Sequence, residues 1–378
     1  MLIHIDHTGV TDALSRNATS RRSHACIENL LLAHFEGNHV ISLLPDDAAD
    51  LQDASPAWSA RARRALEHVE DSYAQIAGLR AELPWSLDLG LGAGFDGKAH
   101  DAQGGAKIIR ASLHAFEKSH TLSCAALLGE NATDADLLRE LGLLRRTERR
   151  WEAVDMMHDA RGGGGSTIAP EYERLADKGQ IVLAVADTDM RHPSSGEGGT
   201  YHKLRLRAAN RPEYQRARPL PTRTAEGLVP LDVYKEAFQS LHGHGEQRLG
   251  TIERLKKLMG SAPADILRYA HLKSGIRLHQ VQNPKTKAEG DYWSEIAKST
   301  GRDRCTQPSA GQCKKDDCKC YVVDGLGANA LSDVVEWMRT AAPRDRLPSL
   351  FGLSASPDLS SLADEVLAWG LALPPILT

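Results

Sequence analysis

Two stretches, Ser123-Cys-Ala-Ala-Leu-Leu-Gly-Glu130 and Gln180-Ile-Val-Leu-Ala-Val-Ala-Asp187-Thr-Asp189, decide how this chain is read. Each carries an apolar run of strand length without polar alternation, the pattern of a strand buried on both faces of a parallel sheet. Each run ends in acid. Parallel strands of an open α/β sheet bring their carboxyl ends to one edge, where ligands bind. Glu130, Asp187 and Asp189 are therefore expected at a common edge, as ligands of Mg2+ or Mn2+. A divalent ion suits phosphodiester chemistry: it activates water, neutralises charge on the leaving oxygen, and needs only one or two carboxylates beside the phosphate. Asp187 and Asp189 alternate onto one side of an extended chain. Asp134 lies four residues after Glu130, in the first turn of the expected next helix, so it can face the same edge. Its alternative role is that of an acid favoured by the helix dipole.

Around these strands the sequence resembles a known family. Gly129-Glu130-Asn-Ala-Thr-Asp134, the helical Ala135-Asp-Leu-Leu-Arg-Glu-Leu-Gly142 and Asp187-Thr-Asp189 resemble the topoisomerase–primase (Toprim) domain, which pairs a glutamate after its first strand with Asp-x-Asp after a later one. Arg223-Thr-Ala-Glu226-Gly-Leu-Val-Pro230-Leu-Asp-Val-Tyr234 is similar to the stretch that follows Asp-x-Asp in Toprim nucleases of the overcoming-lysogenization-defect type. The likeness covers residues 122–234, with Asn131 where a glycine is usual and Gly227 where an asparagine is usual. It implies a Mg2+- or Mn2+-dependent nuclease acting on DNA or RNA, with an anti-phage or toxin-like role. Defence-system partner proteins and self-association are its further implied partnerships. It also implies a place near the site for Glu226, and for Lys273 a role against the scissile phosphate.

Composition sets the frame. The chain has 378 residues, enough for two or three domains, with 41% hydrophobic and 25% charged residues, as in ordinary globular proteins. No apolar run reaches bilayer length, and Met1-Leu-Ile-His-Ile-Asp6 lacks signal-peptide architecture, so a cytoplasmic protein without membrane partners is expected. A net charge of −4 argues against a globally basic coat and leaves room for local phosphate-binding patches.

Strands are expected at Leu2-Ile-His-Ile-Asp6 and His39-Val-Ile-Ser-Leu-Leu44, and helices at about residues 25–33, 58–83 and 106–118. The glycine-rich stretch from Leu89 to Gly97 and on through Gln103-Gly-Gly105 reads as a loop. Arg161-Gly-Gly-Gly-Gly-Ser-Thr167 lacks the lysine of a phosphate-binding P-loop; it is either a backbone nest beside the acidic edge or a simple connector. Leu249, Ile252, Leu255 and Leu258 mark one face of a later helix that Gly260 would stop. His192 and His202 flank a glycine-rich segment after the acidic triplet and are candidates for proton transfer or substrate contact.

Between Arg205 and Arg223 lie six arginines and one acid, Glu213. Arg205, Arg207, Arg211, Arg216 and Arg218 are accordingly expected to hold a nucleic-acid backbone, since guanidinium forks bind phosphate bidentately. Cys305, Cys313, Cys318 and Cys320 stand close together in a polar loop; four thiolates can close a structural Zn2+ site that orders such a loop.

The expected fold is α/β: an N-terminal α/β accessory region (residues 1–118), a Toprim-like parallel-sheet core (119–240) and a mostly helical C-terminal region with a zinc loop (241–378). Two other functional readings exist. One is a PIN-like ribonuclease built on Asp6 and Glu28. The other is a non-catalytic, zinc-containing nucleic-acid-binding subunit.

Overall fold

The apolar runs of the first hundred residues build a sheet of their own. The computed structural model describes residues 1–15, 17–54, 57–240, 245–263, 265–306 and 319–376. In it β1 (Leu2–Ile5), β2 (Val40–Ser42), β3 (Trp85–Gly90), β4 (Asp96–Asp101) and β5 (Lys107–Ser112) pair in the order β2-β1-β3-β5-β4. All neighbours are parallel except β4, which runs antiparallel along β5. β1 and β3 are buried at every position, as central strands covered on both faces must be. β4, Asp-Gly-Lys-Ala-His-Asp, is mostly exposed; its charges suit an outer strand, because they oppose pairing with a second chain.

Three local expectations fail here, each for a visible reason. Residues 106–118 form no α-helix: Lys107–Ser112 is strand β5 and only Leu113–Phe116 makes a single 3-10 turn. Ile109 and Ala111 are buried while Arg110 between them is exposed, the two-residue period of a strand wedged between β3 and β4. The stretch 58–83 is two helices, Ala60–Asp71 and Tyr73–Glu82, divided at Ser72, a residue type that favours helix ends over interiors. Residues 89–105 are partly strand: β4 occupies Asp96–Asp101, and β3 runs through Gly90, where any Cβ would lie 2.3 Å from the Phe95 ring packed against it.

A second sheet follows. β6 (Ala125–Gly129), β8 (His158–Gly162), β9 (Val182–Ala186) and β10 (Gln215–Pro219) stand in the order β10-β9-β6-β8, and the short β7 (Asp155–Met156) pairs instead with Leu371–Ala372. β6 is parallel to both β8 and β9. The chain thus leaves β6 for one side, through the helix Ala132–Glu148, and returns past it to β9 on the other, through the helix Ile168–Asp177. That reversal makes the carboxyl ends of β6 and β9 the switch point of the sheet. Leu137, Leu138, Leu141 and Leu144 form the buried face of the first crossover helix; each such burial is worth roughly 2 kcal/mol.

The described residues gather into two compact units. The first holds residues 1–185, 204–218 and 360–378, hence both sheets in the main; the second holds residues 186–203 and 219–359. The second unit is largely helical, with helices Leu231–Ser240, Gly245–Met259, Lys287–Ser299 and Ala330–Thr340, and a two-stranded antiparallel pair, β11 (Ile276–Arg277) and β12 (Tyr321–Val323). Ile252, Leu255 and Leu258 are buried on the face that their spacing indicated. No helix among the described residues is long and apolar enough to cross a membrane.

Candidate functional site

At the end of β6 the backbone is crowded. A Cβ on Gly129 would lie 2.5 Å from the Ala135 amide nitrogen, so only glycine lets the next helix start this close. Asn131 caps that helix: its Oδ1 accepts from the Asp134 amide at 3.1 Å, and the Asp134 carboxylate accepts from the Asn131 amide at 3.1 Å. Asp134 thus has a structural task at the helix start. The four-glycine run is fixed in place too. The Gly163 amide donates to the Gly129 carbonyl at 2.8 Å and the Gly165 amide to the Glu130 carbonyl at 2.7 Å, so it lies against the end of β6. Glu130 itself keeps a side-chain oxygen, Oε1, in the interior.

The acidic triplet after β9 belongs to the second unit, and it is not an extension of the strand. Thr188 is buried and its hydroxyl donates to the Thr222 carbonyl at 2.8 Å, while the Asp189 amide donates to the Arg223 carbonyl at 3.1 Å. Asp189 has φ = 53°, a left-handed conformation that aspartate tolerates better than most residues. The expected strand-like alternation of Asp187 and Asp189 is therefore replaced by a turn. The Gly198 amide donates to the Thr188 carbonyl at 2.7 Å, and a Cβ on Gly198 would lie 2.4 Å from the Asp189 Cβ. The glycine-rich segment after the triplet is folded back on it, which explains its composition. A cavity of about 340 Å³ lies beside Asp189, walled by Arg191, His192, Gly198, Lys285 and Glu289.

Arg191, Lys285 and Glu289 also line a second cavity of about 260 Å³ in the same unit, together with Arg223, His271 and Ser274. Arg191 is held from several directions: its amide donates to the Ser195 hydroxyl at 2.8 Å, its carbonyl accepts from the Trp293 indole at 2.8 Å, and its Nη1 donates to Glu289 Oε1 at 3.2 Å. The other Glu289 oxygen accepts from the Lys285 amide at 3.2 Å. Arg223 donates from Nη1 to the Tyr269 carbonyl at 3.3 Å, and its buried Nε meets no hydrogen-bond acceptor among the described residues. Burial, then the charge of Arg191, pulls the Arg223 guanidinium down to about 10, against the attraction of Asp189, Glu289 and Asp187. His271 bonds the Ser274 hydroxyl through Nδ1 at 2.9 Å, and burial followed by the neighbouring Arg223 lowers its pKa, so the ring is neutral at pH 7.

The remaining sequence candidates stand as follows. Glu226 sits on the short turn Ala225–Leu228, where its carbonyl accepts from the Tyr234 hydroxyl at 3.1 Å, and its charge acts on His271. Lys273 is exposed and lines neither cavity. His192 is buried beside Asp189 in the first cavity, and His202 is exposed on the helix Gly199–Ala208.

Of the five arginines expected to hold nucleic acid, four are engaged within the first unit. Arg207 pairs with Glu173 and Arg211 with Asp177, each at 2.5 Å. Arg216 reaches Glu365 at 2.6 Å and lies over the Trp85 ring, and Arg218 pairs with the other Glu365 oxygen. Glu365 is 1% exposed, so both guanidiniums compensate a buried charge. Arg205 is exposed. In the cysteine loop the Sγ atoms of Cys305 and Cys320 are 3.6 Å apart, while Cys313 and Cys318 lie outside the described residues.

Sequence reasoning missed Arg191, His271, Lys285 and Glu289. They are spread over a hundred residues, and none stands in a run that marks it. No family model, curated protein or solved structure matches the chain.

Proposed function

We propose that the protein is a divalent-metal-dependent nuclease that hydrolyses phosphodiester bonds of DNA or RNA. The observation that carries this reading is the position of the Asp187-Thr-Asp189 turn: it directly follows β9, one of the two strands at the sheet's switch point, and its Asp189 lines a cavity together with Arg191 and Lys285. Asp187 and Asp189 would hold Mg2+ or Mn2+, and the Toprim resemblance adds Glu130, the residue that follows β6.

The donor set suits such an ion. Among the described residues no group of three or more His, Cys, Asp or Glu side chains is assembled for a metal. Mg2+ does not require one, because it is commonly held by one or two carboxylates with waters and substrate phosphate completing the shell. Asp187 has a buried carboxylate oxygen, Oδ1, and Glu130 another, Oε1; each is a hard donor withdrawn from water. When bound, the ion would supply water activation and charge neutralisation on the leaving oxygen. The chain's own residues bind and orient: Arg191, fixed by Trp293, Ser195 and Glu289, and Lys285 present positive charge beside Asp189. His192 lines the same cavity and is placed to move a proton.

The PIN-like alternative has no such support. Asp6 caps the first helix by accepting from the Thr8 amide at 2.9 Å, and Glu28 accepts from the Ser59 amide at 3.2 Å, so both have local structural work. For the cysteine loop we keep structural zinc. The 3.6 Å Cys305–Cys320 separation is close to the ~3.8 Å between two thiolates on one tetrahedral Zn2+ with bonds of about 2.3 Å.

The nuclease reading is tested by titrating Mg2+ and Mn2+ into the protein with labelled single- and double-stranded DNA and RNA. Cleavage that needs the ion and stops with chelator supports it; no cleavage of any substrate with any divalent ion sinks it.

A further inference from the structure

The second cavity of unit two holds an imbalance of charge that the metal reading does not use. Its ionised walls are three cations, Arg191, Arg223 and Lys285, against one carboxylate, Glu289, which is already taken by Arg191. Arg223 is mostly withdrawn from water, yet among the described residues it makes no ion pair and its Nε meets no acceptor. A half-buried guanidinium in this state is costly, because its desolvation is offset only by one backbone carbonyl and by carboxylates that do not pair with it directly. The Lys285 ammonium is exposed at the rim and likewise has no acidic partner among the described residues. Neutral polar groups line the same space: the Ser274 hydroxyl, bonded to His271, the Gln280 side-chain amide, and the Asn283 amide, which spends one of its two N–H bonds on the His279 carbonyl.

We infer that this cavity is a phosphate-binding pocket, in which Arg223 and Lys285 hold one phosphoryl group and the hydroxyl and amide donors complete its hydrogen bonds. A guanidinium that lines the pocket without an ion pair among the described residues and an ammonium at the rim match the planar and point-charge modes by which arginine and lysine bind phosphate. The volume of about 260 Å³ admits a phosphate with part of an attached nucleoside and is too small for a folded partner. The pocket shares Arg191, Lys285 and Glu289 with the cavity beside Asp189, so a phosphate seated in it lies along the same cationic wall. It rests on the proposed nuclease function only in the further step that the phosphate belongs to a nucleic-acid strand.

Binding of inorganic phosphate to the full chain, followed by calorimetry at low ionic strength with chelator present, tests the pocket without any turnover. The expected affinity is millimolar, weakened about ten-fold in Lys285→Gln and at least as much in Arg223→Gln. Lys287→Gln removes a lysine that pairs with Asp291 one turn into the helix, and should leave binding unchanged. Near-ultraviolet circular dichroism confirms that each variant is folded; should Arg223→Gln not fold, Lys285→Gln decides alone. Displacement of phosphate by a dithymidine carrying one internal phosphodiester identifies a strand as the source. Displacement by thymidine 5′-monophosphate alone identifies a strand end or a small phosphorylated ligand. Absence of binding at 10 mM phosphate, on the order of the weakest useful affinity, or equal binding by the parent and Lys285→Gln, would overturn the inference. Because the measurement excludes divalent ions, that failure leaves the metal reading standing, and loss of the metal reading leaves the pocket intact.

Discussion

Asp134 shows how one side chain can satisfy two sequence rules at once. Its distance from Glu130 fits a ligand, and its position at the start of a helix fits a cap; the capping box with Asn131 is what the structure displays. Asp134→Ala should cost about 1 kcal/mol of stability, the usual worth of a cap, measured by denaturant unfolding. If stability is unchanged while activity disappears, the carboxylate acts on substrate or metal instead. Gly198 makes a sharper case at the same scale. Its missing Cβ is where the Asp189 side chain runs, so Gly198→Ala should displace the acidic turn and reduce activity more than stability.

At the scale of elements, β6 and β9 were readable because a strand covered on both faces has no choice but a continuous apolar run. β5 was not, since Lys107-Ile-Ile-Arg-Ala-Ser112 is too short for its two-residue period to stand out from helical spacing. The pairing of the arginine stretch was hidden for a different reason. Its acidic partners Glu173, Asp177 and Glu365 lie up to 149 positions from the arginines they pair with, so the charges look unbalanced until the chain is folded. Arg218→Ala leaves buried Glu365 with less compensation and should destabilise by about 3 kcal/mol, visible as a lower melting temperature. A variant of parental stability with weakened nucleic-acid binding would restore the phosphate role. For the cysteine loop, protein purified without added zinc should carry one equivalent per chain; well under half an equivalent, with Cys305 and Cys320 readily alkylated in the native state, would remove zinc from the account.

For the whole molecule, the interior sets a response to acid. Burial holds His4 at about 4 and His34 and His158 at about 3, all below their ordinary 6.5. Below pH 6.5 the unfolded chain binds protons that the folded one refuses, so stability falls with pH down to those folded values. The slope approaches ~1.4 kcal/mol per pH unit for each histidine. Denaturant midpoints between pH 7 and 4.5 should drop steadily, and His34→Gln should flatten that drop; a midpoint independent of pH would contradict the buried neutral rings. The acidic residues of the site were legible as strand ends, whereas the cationic walls were not. Arg191, Arg223, Lys285 and Glu289 come together only because residues 186–203 and 219–359 form one unit, interrupted in sequence by β10.

The central claim is that Asp189 carries metal-dependent chemistry. Asp189→Asn keeps the size of the side chain and the turn that aspartate and asparagine share, and removes the charge a divalent ion needs. Single-turnover cleavage of labelled nucleic acid in saturating Mg2+ or Mn2+ should fall at least about a hundred-fold, the scale of losing transition-state electrostatics, with the melting temperature preserved. Cleavage by Asp189→Asn at the parental rate would contradict the account.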